Sequence, residues 1–557
     1  MPLFRRRKLT GDETYNHWIT EIKRARSARM PIEKNWRRWY NIVDDALWAG
    51  KARDGHAPSQ INQLAAILEN VIPSISFRAG IVEIRAFSME DMLSAAIWEK
   101  SAQWILQKQG VVDELQSAIF DALVLGDGLF KIGHSVLPQL SEPQWNAGLA
   151  TERAADQVSV YGMNWPLFEF LPDYSAIKWK RQRFFVHQYD KHIEEIKDNP
   201  LYDKKQADKI HPNRTIGDMI FRRADEIDKK KDYVAVQEIH DLINGRLMIV
   251  SDTGGSTDFL YNDVEPFGMI PVERLAFFDR PSTVWGKGIT QTIEQHLIDL
   301  AKIDDYAMNV LRKEALLKIG VDASRWTKDN IAKLETSGDS IIPLMGDVAG
   351  SFEVLDYGGA SQNFTYERNR QSKMSTIREL AGSGRMQQGL HETGVSSATE
   401  SSLLQSNADV ITQWRSNKFS EFVSRVLEKM LFIVSQTYTP ERIAKMVGIE
   451  GDTVAAVLRG EPYDPSKYIL SYGQAALADR ADRREKLESY IGLFGPALNP
   501  AVIMRQYADV LGIEYTDEMI IPGVPIGGAQ GGQQQGGQQA TPGFRPEEAQ
   551  QIENTGV

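Results

Sequence analysis

After Gly288 the chain runs to Lys318 without a glycine or proline, and Ile289, Ile293, Leu297, Leu300, Ala307 and Leu311 recur on one stripe at helical spacing. The pattern predicts a single amphipathic helix spanning roughly 45 Å, from a rise of about 1.5 Å per residue. A second helix, Ser361–Leu380, returns after a polar insert, Val321–Gly359. The insert predicts a short helical piece, Lys328–Glu335, and strands at Ser340–Met345 and Ser351–Tyr357. So small a unit has little core of its own and needs neighbours to be stable. A Gly/Ser-rich loop with Gly382, Gly384, Gly389 and Gly394 follows. Then comes a helix of about 40 residues, Ser397–Tyr438, far above the globular mean of about 11–12. A helix hairpin tipped by a knob suits a strut in an assembly better than a catalytic domain.

The 557 residues exceed what one hydrophobic core normally supports, so two or more regions are expected. Residues 12–50 predict a helix or helical pair, with Trp18, Ile22, Ile32, Trp36, Trp39, Val43 and Leu47 set between charges. The five arginines from Arg24 to Arg38 admit two interpretations, a nucleic-acid patch or the solvated face of that helix. A helix Ile61–Val71 is expected to stop at Pro73. Helices over 90–110 and Val112–Leu125 lead through Gly126-Asp127-Gly128 into a strand, Leu129–His134. Further strands are predicted at Val158–Tyr161, Leu167–Leu171, Arg183–Tyr189 and Tyr233–His240, with short helices at His192–Lys197 and Ile216–Asp228. Asn244-Gly245, between Glu238–Leu242 and Arg246–Val250, signals a two-residue hairpin. Residues 50–280 are therefore expected to form one α+β region. After Pro440 helix is expected through about Thr516. The tail Gly523–Val557, containing GGAQGGQQQGGQQ, is too poor in apolar residues to order.

A search for chemistry excludes more than it finds. The chain has no cysteine, which rules out disulfides, thiolate catalysis and Cys-ligated zinc or iron–sulfur clusters. No apolar run reaches the roughly 18 residues that span a bilayer, and the basic run Arg5–Lys8 has no apolar stretch behind it. A soluble protein with no membrane partner is expected. There is no G-x-x-x-x-G-K-[ST] phosphate loop and no G-x-S-x-G elbow. GDGLFKIG (Gly126–Gly133) follows a helix rather than a strand, so it predicts a helix-terminal turn feeding a strand, not a nucleotide loop. The nine histidines are scattered, with no H-E-x-x-H. His391-Glu392 is either a weak ligand pair or part of a solvated loop. Glu83, Glu90, Asp91, Asp304 and Asp305 are ordinary helix or strand charges. No catalytic residue, metal site or cofactor is expected, and the chain is not expected to be an enzyme. Its net charge of −11 argues against a protein that grips DNA over its whole surface, since such grip comes from Lys and Arg displacing counterions.

Several phrases, in this order, resemble the portal proteins, or head-to-tail connectors, of tailed bacteriophages. They are INQLAAILENVIPSISF (Ile61–Phe77), DALVLGDGLFKIG (Asp121–Gly133), PFGMIPVERLAFFDRPSTVWGKGITQTIEQHLIDLAKIDDYAMNVLRK (Pro266–Lys313) and ETGVSSATESSLLQ (Glu392–Gln405). The resemblance covers roughly residues 60–490 and rests on element order and pattern rather than one signature.

It implies an α+β, predominantly helical fold of portal-like architecture. The segments would be an N-terminal helical arm (1–50), an α+β wing (51–285), stem helix 1 (286–318), a small αβ clip (319–359) and stem helix 2 (360–381). A tunnel loop (382–396), a long wing or spine helix (397–438), a helical crown or outer wing (439–520) and the disordered tail (521–557) would complete the chain. The implied function is a ring, a dodecamer in that family, at one capsid vertex. It conducts double-stranded DNA during packaging and ejection. The implied partners are other copies of the chain, the terminase large subunit, the major capsid protein and the head–tail adaptor or neck proteins. The implied setting is the virion, with the host cytoplasm during assembly. On this basis Lys373, Arg385, His391 and Glu392 are candidate DNA-channel residues, and Trp326, Lys328 and Lys333 are candidate clip contacts to the motor or adaptor. A dodecamer would carry about −130 formal charges, so DNA would be repelled at most positions along its wall. The basic residues Arg368, Arg370, Lys373, Arg378 and Arg385 then have two possible roles. They contact phosphate transiently, or they bridge adjacent subunits through carboxylates such as Asp299, Asp304 or Asp305. A non-enzymatic scaffold assembling through its long helices is the competing expectation, and an enzyme with an unrecognised site in the sheet region is the third.

Overall fold

The tryptophans of the N-terminal region lie on one helix. α1 (Gly11–Val43) runs unbroken through Pro31, where the periodicity allowed one helix or two. Its two ends serve different cores. Tyr15, Trp18 and Ile22 are buried in one, and Trp36, Trp39 and Ile42 in the other. In this computed structural model the described residues are 11–44, 62–76, 81–108, 110–136, 158–214, 232–251, 257–265, 267–315, 318–322, 340–344, 352–354, 359–382 and 398–473. All belong to the first of the chain's two units, Met1–Leu477.

α2 (Gln63–Ser76) continues past Pro73, which was expected to end it. Leu64, Ile67, Leu68, Val71 and Ile75 form one buried stripe that the extra turn completes. A proline inside a helix forfeits one backbone hydrogen bond. The Ser74 and Ser76 hydroxyls donate back to the Val71 and Ile72 carbonyls at 2.7 and 3.1 Å. β1 (Val82–Ala86), α3 (Met92–Lys108), α4 (Val111–Val124) and β2 (Gly128–Val136) follow, the last three close to their predicted bounds.

Next come β3 (Val158–Trp165), β4 (Phe170–Pro172), β5 (Phe184–His192), α5 (Ile193–Lys197) and α6 (Lys204–Ala207). Leu167–Glu169, expected as strand, is a 3-10 turn closed by Glu169 N donating to the Pro166 carbonyl at 2.9 Å. β6 (Tyr233–Asp241), β7 (Arg246–Val250), β8 (Tyr261–Val264) and β9 (Val272–Leu275) complete the region. β4-β5-β6-β7-β8 form an antiparallel meander, and β3-β2-β9 a second antiparallel sheet. The β6–β7 hairpin closes at Asp241↔Arg246, so its loop has four residues and not the expected two. Asp241 is the reason. Its Oδ1 accepts from the Ile243 and Asn244 amides at 3.0 and 3.2 Å, an Asx turn that takes up the extra residues. The helix expected at Ile216–Asp228 lies outside the described residues.

The long elements fall close to where the periodicity puts them: α7 (Ile289–Ala315), α8 (Gly359–Ala381) and α9 (Ala398–Thr437). Between α7 and α8 lie β10 (Lys318–Asp322), β11 (Ser340–Leu344) and β12 (Phe352–Val354). β10 is central in their sheet, parallel to β11 and antiparallel to β12. The helical piece Lys328–Glu335 and the glycine-rich loop 383–397 are outside the described residues. α10 (Pro440–Val447) and α11 (Gly451–Leu458) lead to β13 (Tyr468–Tyr472), where helix was expected. β13 pairs antiparallel with β1, from Val82↔Tyr472 to Ala86↔Tyr468. Its partner lies at the other end of the described chain, so no local pattern could have revealed it. Residues from 474 onward, including the Gly/Gln-rich tail, lie outside the description.

The result is a mixed α+β fold whose larger core is organised by α9. Phe419, Phe422, Val423, Val426, Leu427, Met430, Leu431 and Val434 are all buried, and Phe422 meets Phe130 of β2 edge-on at 6.2 Å.

Candidate functional site

The feature that sets this chain apart is the helix pair α7 and α8 with the small sheet joining their far ends. The stripe predicted on α7 is real at its base: Ile289, Ile293, Leu297 and Leu300 are buried in the larger core. Beyond Asp304 the described α7 side chains are half-buried or exposed, with Tyr306 and Met308 open to solvent. α8 buries only Ile377 and Ala381 among its described side chains and is otherwise polar. Two ion pairs join the helices. Lys373 Nζ lies 3.0 Å from Asp299 Oδ2, and Arg370 Nε lies 2.8 Å from Asp304 Oδ1. The numbers of the paired residues run in opposite senses, so the helices are antiparallel. The hydrogen bond from Lys373 holds the Asp299 carboxyl below its ordinary range. Both members of that pair are about a third exposed, so its contribution to stability is about 0–1 kcal/mol. Its effect is rather on charge, since each cation has a carboxylate beside it.

The pair is aimed by a joint of glycines at its base. α4 ends in Gly126, at φ +105°, a conformation L side chains rarely adopt. There the backbone of Gly126 touches that of Gly286, just before α7. A Cβ on Gly126 would lie 2.7 Å from the Gly286 carbonyl oxygen, and one on Gly286 would overlap the Gly126 carbonyl. Between them, buried Asp127 accepts from Arg274 Nε at 2.7 Å through one oxygen and from Gly286 N at 2.8 Å through the other. Arg274, of β9, is also bonded to exposed Asp279 at 2.7 Å. α1 closes the joint from outside. Trp36 sits edge-on to Trp285 at 4.9 Å, while Trp39 Nε1 and Arg38 Nη2 donate to Glu294 of α7 at 3.1 and 2.9 Å.

At the other end of α8, Arg415 of α9 is buried and donates through Nη2 to the Ala381 carbonyl at 2.9 Å. Burial pushes its guanidinium down to about 10, so it keeps its charge at neutral pH. A cation there meets the negative end of the α8 dipole and supplies one of the donors its last turn lacks.

Of the candidate residues in the sequence, Lys373 is placed on α8 and paired with Asp299 of the same chain. The carboxylates Asp299 and Asp304, considered as partners across a subunit boundary, are thus engaged within the chain. Arg385, His391 and Glu392 lie outside the described residues, as do Trp326, Lys328 and Lys333. Of the α1 arginines, Arg24, Arg37 and Arg38 lie on the solvated face, paired with Glu21, Glu33 and Glu294, while the other two turn inward. Arg29 is buried and donates to the Phe168 and Phe170 carbonyls, and Arg26 donates to Gln188 at 2.7 Å. GDGLFKIG is the helix-terminal turn and strand that were expected.

Sequence reasoning missed Asp127, Arg274 and Arg415, because isolated charges carry no pattern. It also missed a signal that was present. Glu238 and His240 share one face of β6 with Val234 and Val236, and Lys131 interrupts the apolar run of β2. A wide cleft of about 1080 Å³ between α1 and the meander presents Arg24 and Arg183, yet these are bonded to Glu21 and Asp173. Among the described residues no group of three or more His, Asp or Glu side chains is disposed to hold a metal ion. No described helix is long and apolar enough to cross a membrane. No protein-family model matches the chain, and no curated protein matches it.

Proposed function

We propose that this chain is the portal protein of a tailed bacteriophage, a non-enzymatic subunit of a ring set at one capsid vertex. Double-stranded DNA passes through the ring during packaging and ejection. The ring sits in the major capsid protein shell and docks the terminase motor first and the neck or tail adaptors afterwards. In these terms α7 and α8 are the stem, the β11-β10-β12 sheet the clip, α9 the spine, and the two antiparallel sheets with α3 and α4 the wing. The observation that carries the proposal is the antiparallel helix pair, buried at its base, polar beyond it, and capped by a three-stranded sheet. The portal-like phrases lie, in chain order, on α2, on the α4–β2 turn, on β9 with α7, and at the start of α9.

The electrostatics agree with conduction rather than capture. Phosphate binding scales with the number of cations free to displace counterions. Here Lys373 and Arg370 each carry a carboxylate from the neighbouring helix, and the chain has a surplus of acids. Such a surface offers DNA weak and replaceable contacts. The competing scaffold reading needs an apolar seam on a long helix. α9 places its apolar residues from Phe419 to Val434 inside the core of its own chain, and among its described side chains Val410, Ile411 and Trp414 are the large apolar ones left exposed. The molar mass in solution, read by light scattering or native mass spectrometry, tests the proposal. A closed assembly of many copies, centred on the dodecamer, is expected. A monomer or dimer at every concentration would overturn it.

A further inference from the structure

The mechanism of a conducting ring makes no use of a charged cluster buried among the described residues of β2, β5 and β6. Where the β3-β2-β9 sheet meets the meander, Lys131 of β2 lies against the cross-strand pair His187 of β5 and Glu238 of β6. Its Nζ lies 2.9 and 3.0 Å from the two oxygens of Glu238 and 3.0 Å from Nδ1 of His187. His187 Nε2 lies 3.1 Å from Glu169 Oε2. His240, two residues along β6 from Glu238, is fully enclosed. Its Nε2 lies 2.9 Å from Glu238 Oε1 and its Nδ1 3.0 Å from Glu265 Oε2. Phe185 is stacked on the same ring at 4.5 Å.

These distances assign protons. A lysine ammonium has only donors, so His187 accepts at Nδ1 and carries its hydrogen on Nε2, facing Glu169: a neutral ring. His240 has a carboxylate oxygen at each ring nitrogen. A neutral imidazole has one N–H and can satisfy only one of them, whereas the imidazolium satisfies both. A cation against the face of Phe185 is favoured as well. Tyr189 and Tyr202 also lie near Glu238, and burial keeps both phenols protonated and uncharged.

Glu265 stands just after β8, on the connection by which the chain leaves the meander for β9 in the other sheet. We propose that His240 is a protonation-controlled latch: as an imidazolium it ties this connection to β6 through Glu265, and on losing its proton it lets go. The inference is independent of the proposed function. Its pH window follows from the groups around it. Burial works against the charged ring, but the hydrogen bonds and charges of Glu238 and Glu265 outweigh it, so His240 titrates above its ordinary value. The stabilisation it supplies is therefore complete below about 6.5 and is lost as pH rises through the folded value. Burial likewise works against Glu238, but the Lys131 ammonium and the His240 imidazolium hold it well below its ordinary value. Its contribution is present above the ordinary carboxylate range and fails only as pH falls through the folded value. The latch is closed between these limits and opens on the alkaline side.

Two measurements test this. Magic-angle-spinning NMR of the whole chain, with histidine labelled by ¹⁵N and His240→Gln used for assignment, reads the ring protons directly. At pH 6.5, the ordinary histidine value, most His240 rings are expected to be protonated on both nitrogens, and a ring mostly singly protonated there would overturn the proposal. Amide exchange over Tyr261–Leu275, corrected for its intrinsic pH dependence, is compared at pH 6 and pH 9. In the unmutated chain, protection is expected to fall by at least about tenfold at the higher pH. Glu265→Gln should be poorly protected at both. Protection that does not change with pH, or a Glu265→Gln variant that behaves as the unmutated chain, would overturn it.

Discussion

Asp127→Ala is expected to destabilise the chain by about 3–5 kcal/mol, because it leaves a buried guanidinium without its main counter-charge. Arg274 and Asp127 are both at least nine-tenths buried as side chains, and the pair crosses from the α4–β2 turn to β9. The same substitution removes the acceptor for Gly286 N, the amide that enters the joint before α7. Asp279 stays bonded to Arg274 and is itself mostly exposed, so the loss should fall near the lower end of that range. Asp127→Asn keeps an acceptor for Gly286 and should lose less. Urea unfolding of the two variants, with the slope checked for constancy, gives the comparison. Equal and small losses for both would show that the ion pair does not anchor the joint.

The second large effect is expected at Trp36. Its side chain is fully buried, edge-on to Trp285 at 4.9 Å and to Phe168 at 5.5 Å. Trp36→Ala removes the largest piece of apolar surface linking α1 to the base of α7 and should cost about 3–5 kcal/mol. Its indole N–H has no hydrogen-bond partner among the described residues, so the loss is one of packing. Trp36→Phe, which keeps a ring between the two aromatic neighbours, should therefore recover much of it. Thermal unfolding of both variants decides the matter, and a Phe variant as unstable as the Ala variant would contradict it.

The legible parts of this fold were those with a local period. α7 and α9 were readable because their length and apolar stripe exceed anything turn chemistry can mimic, α8 because a long polar run without glycine or proline returns after the insert, and β6 and β7 because Asn244-Gly245 separates two apolar-rich runs. β13 was not readable: Tyr468–Tyr472 is too short to carry a period, and what makes it a strand is β1, far away in sequence. Pro73 and the β6–β7 loop misled for the opposite reason. There the local signal was clear, but a buried stripe in one case and the Asp241 carboxylate in the other outweighed it. The site divides the same way. Lys373 stands out in the charge run on α8, but its pairing with Asp299 of the same chain was not legible there, since Asp299 was expected as a partner across a subunit boundary. Asp127 and Arg274 stand singly in the sequence and acquire a role only when two glycine turns bring Gly126 against Gly286. Glu238 and His240 are visible in the sequence as polar residues two apart on a strand with Val234 and Val236, but only the folded chain sets Lys131 and Glu265 around them.

The central claim is that copies of this chain close around a channel. Negative-stain electron microscopy of the purified full-length protein tests it most directly. The account predicts rings with a central hole, with the α7–α8 pairs gathered around it. A field of single particles or extended dimers, at concentrations where the protein is intact and folded, would contradict it.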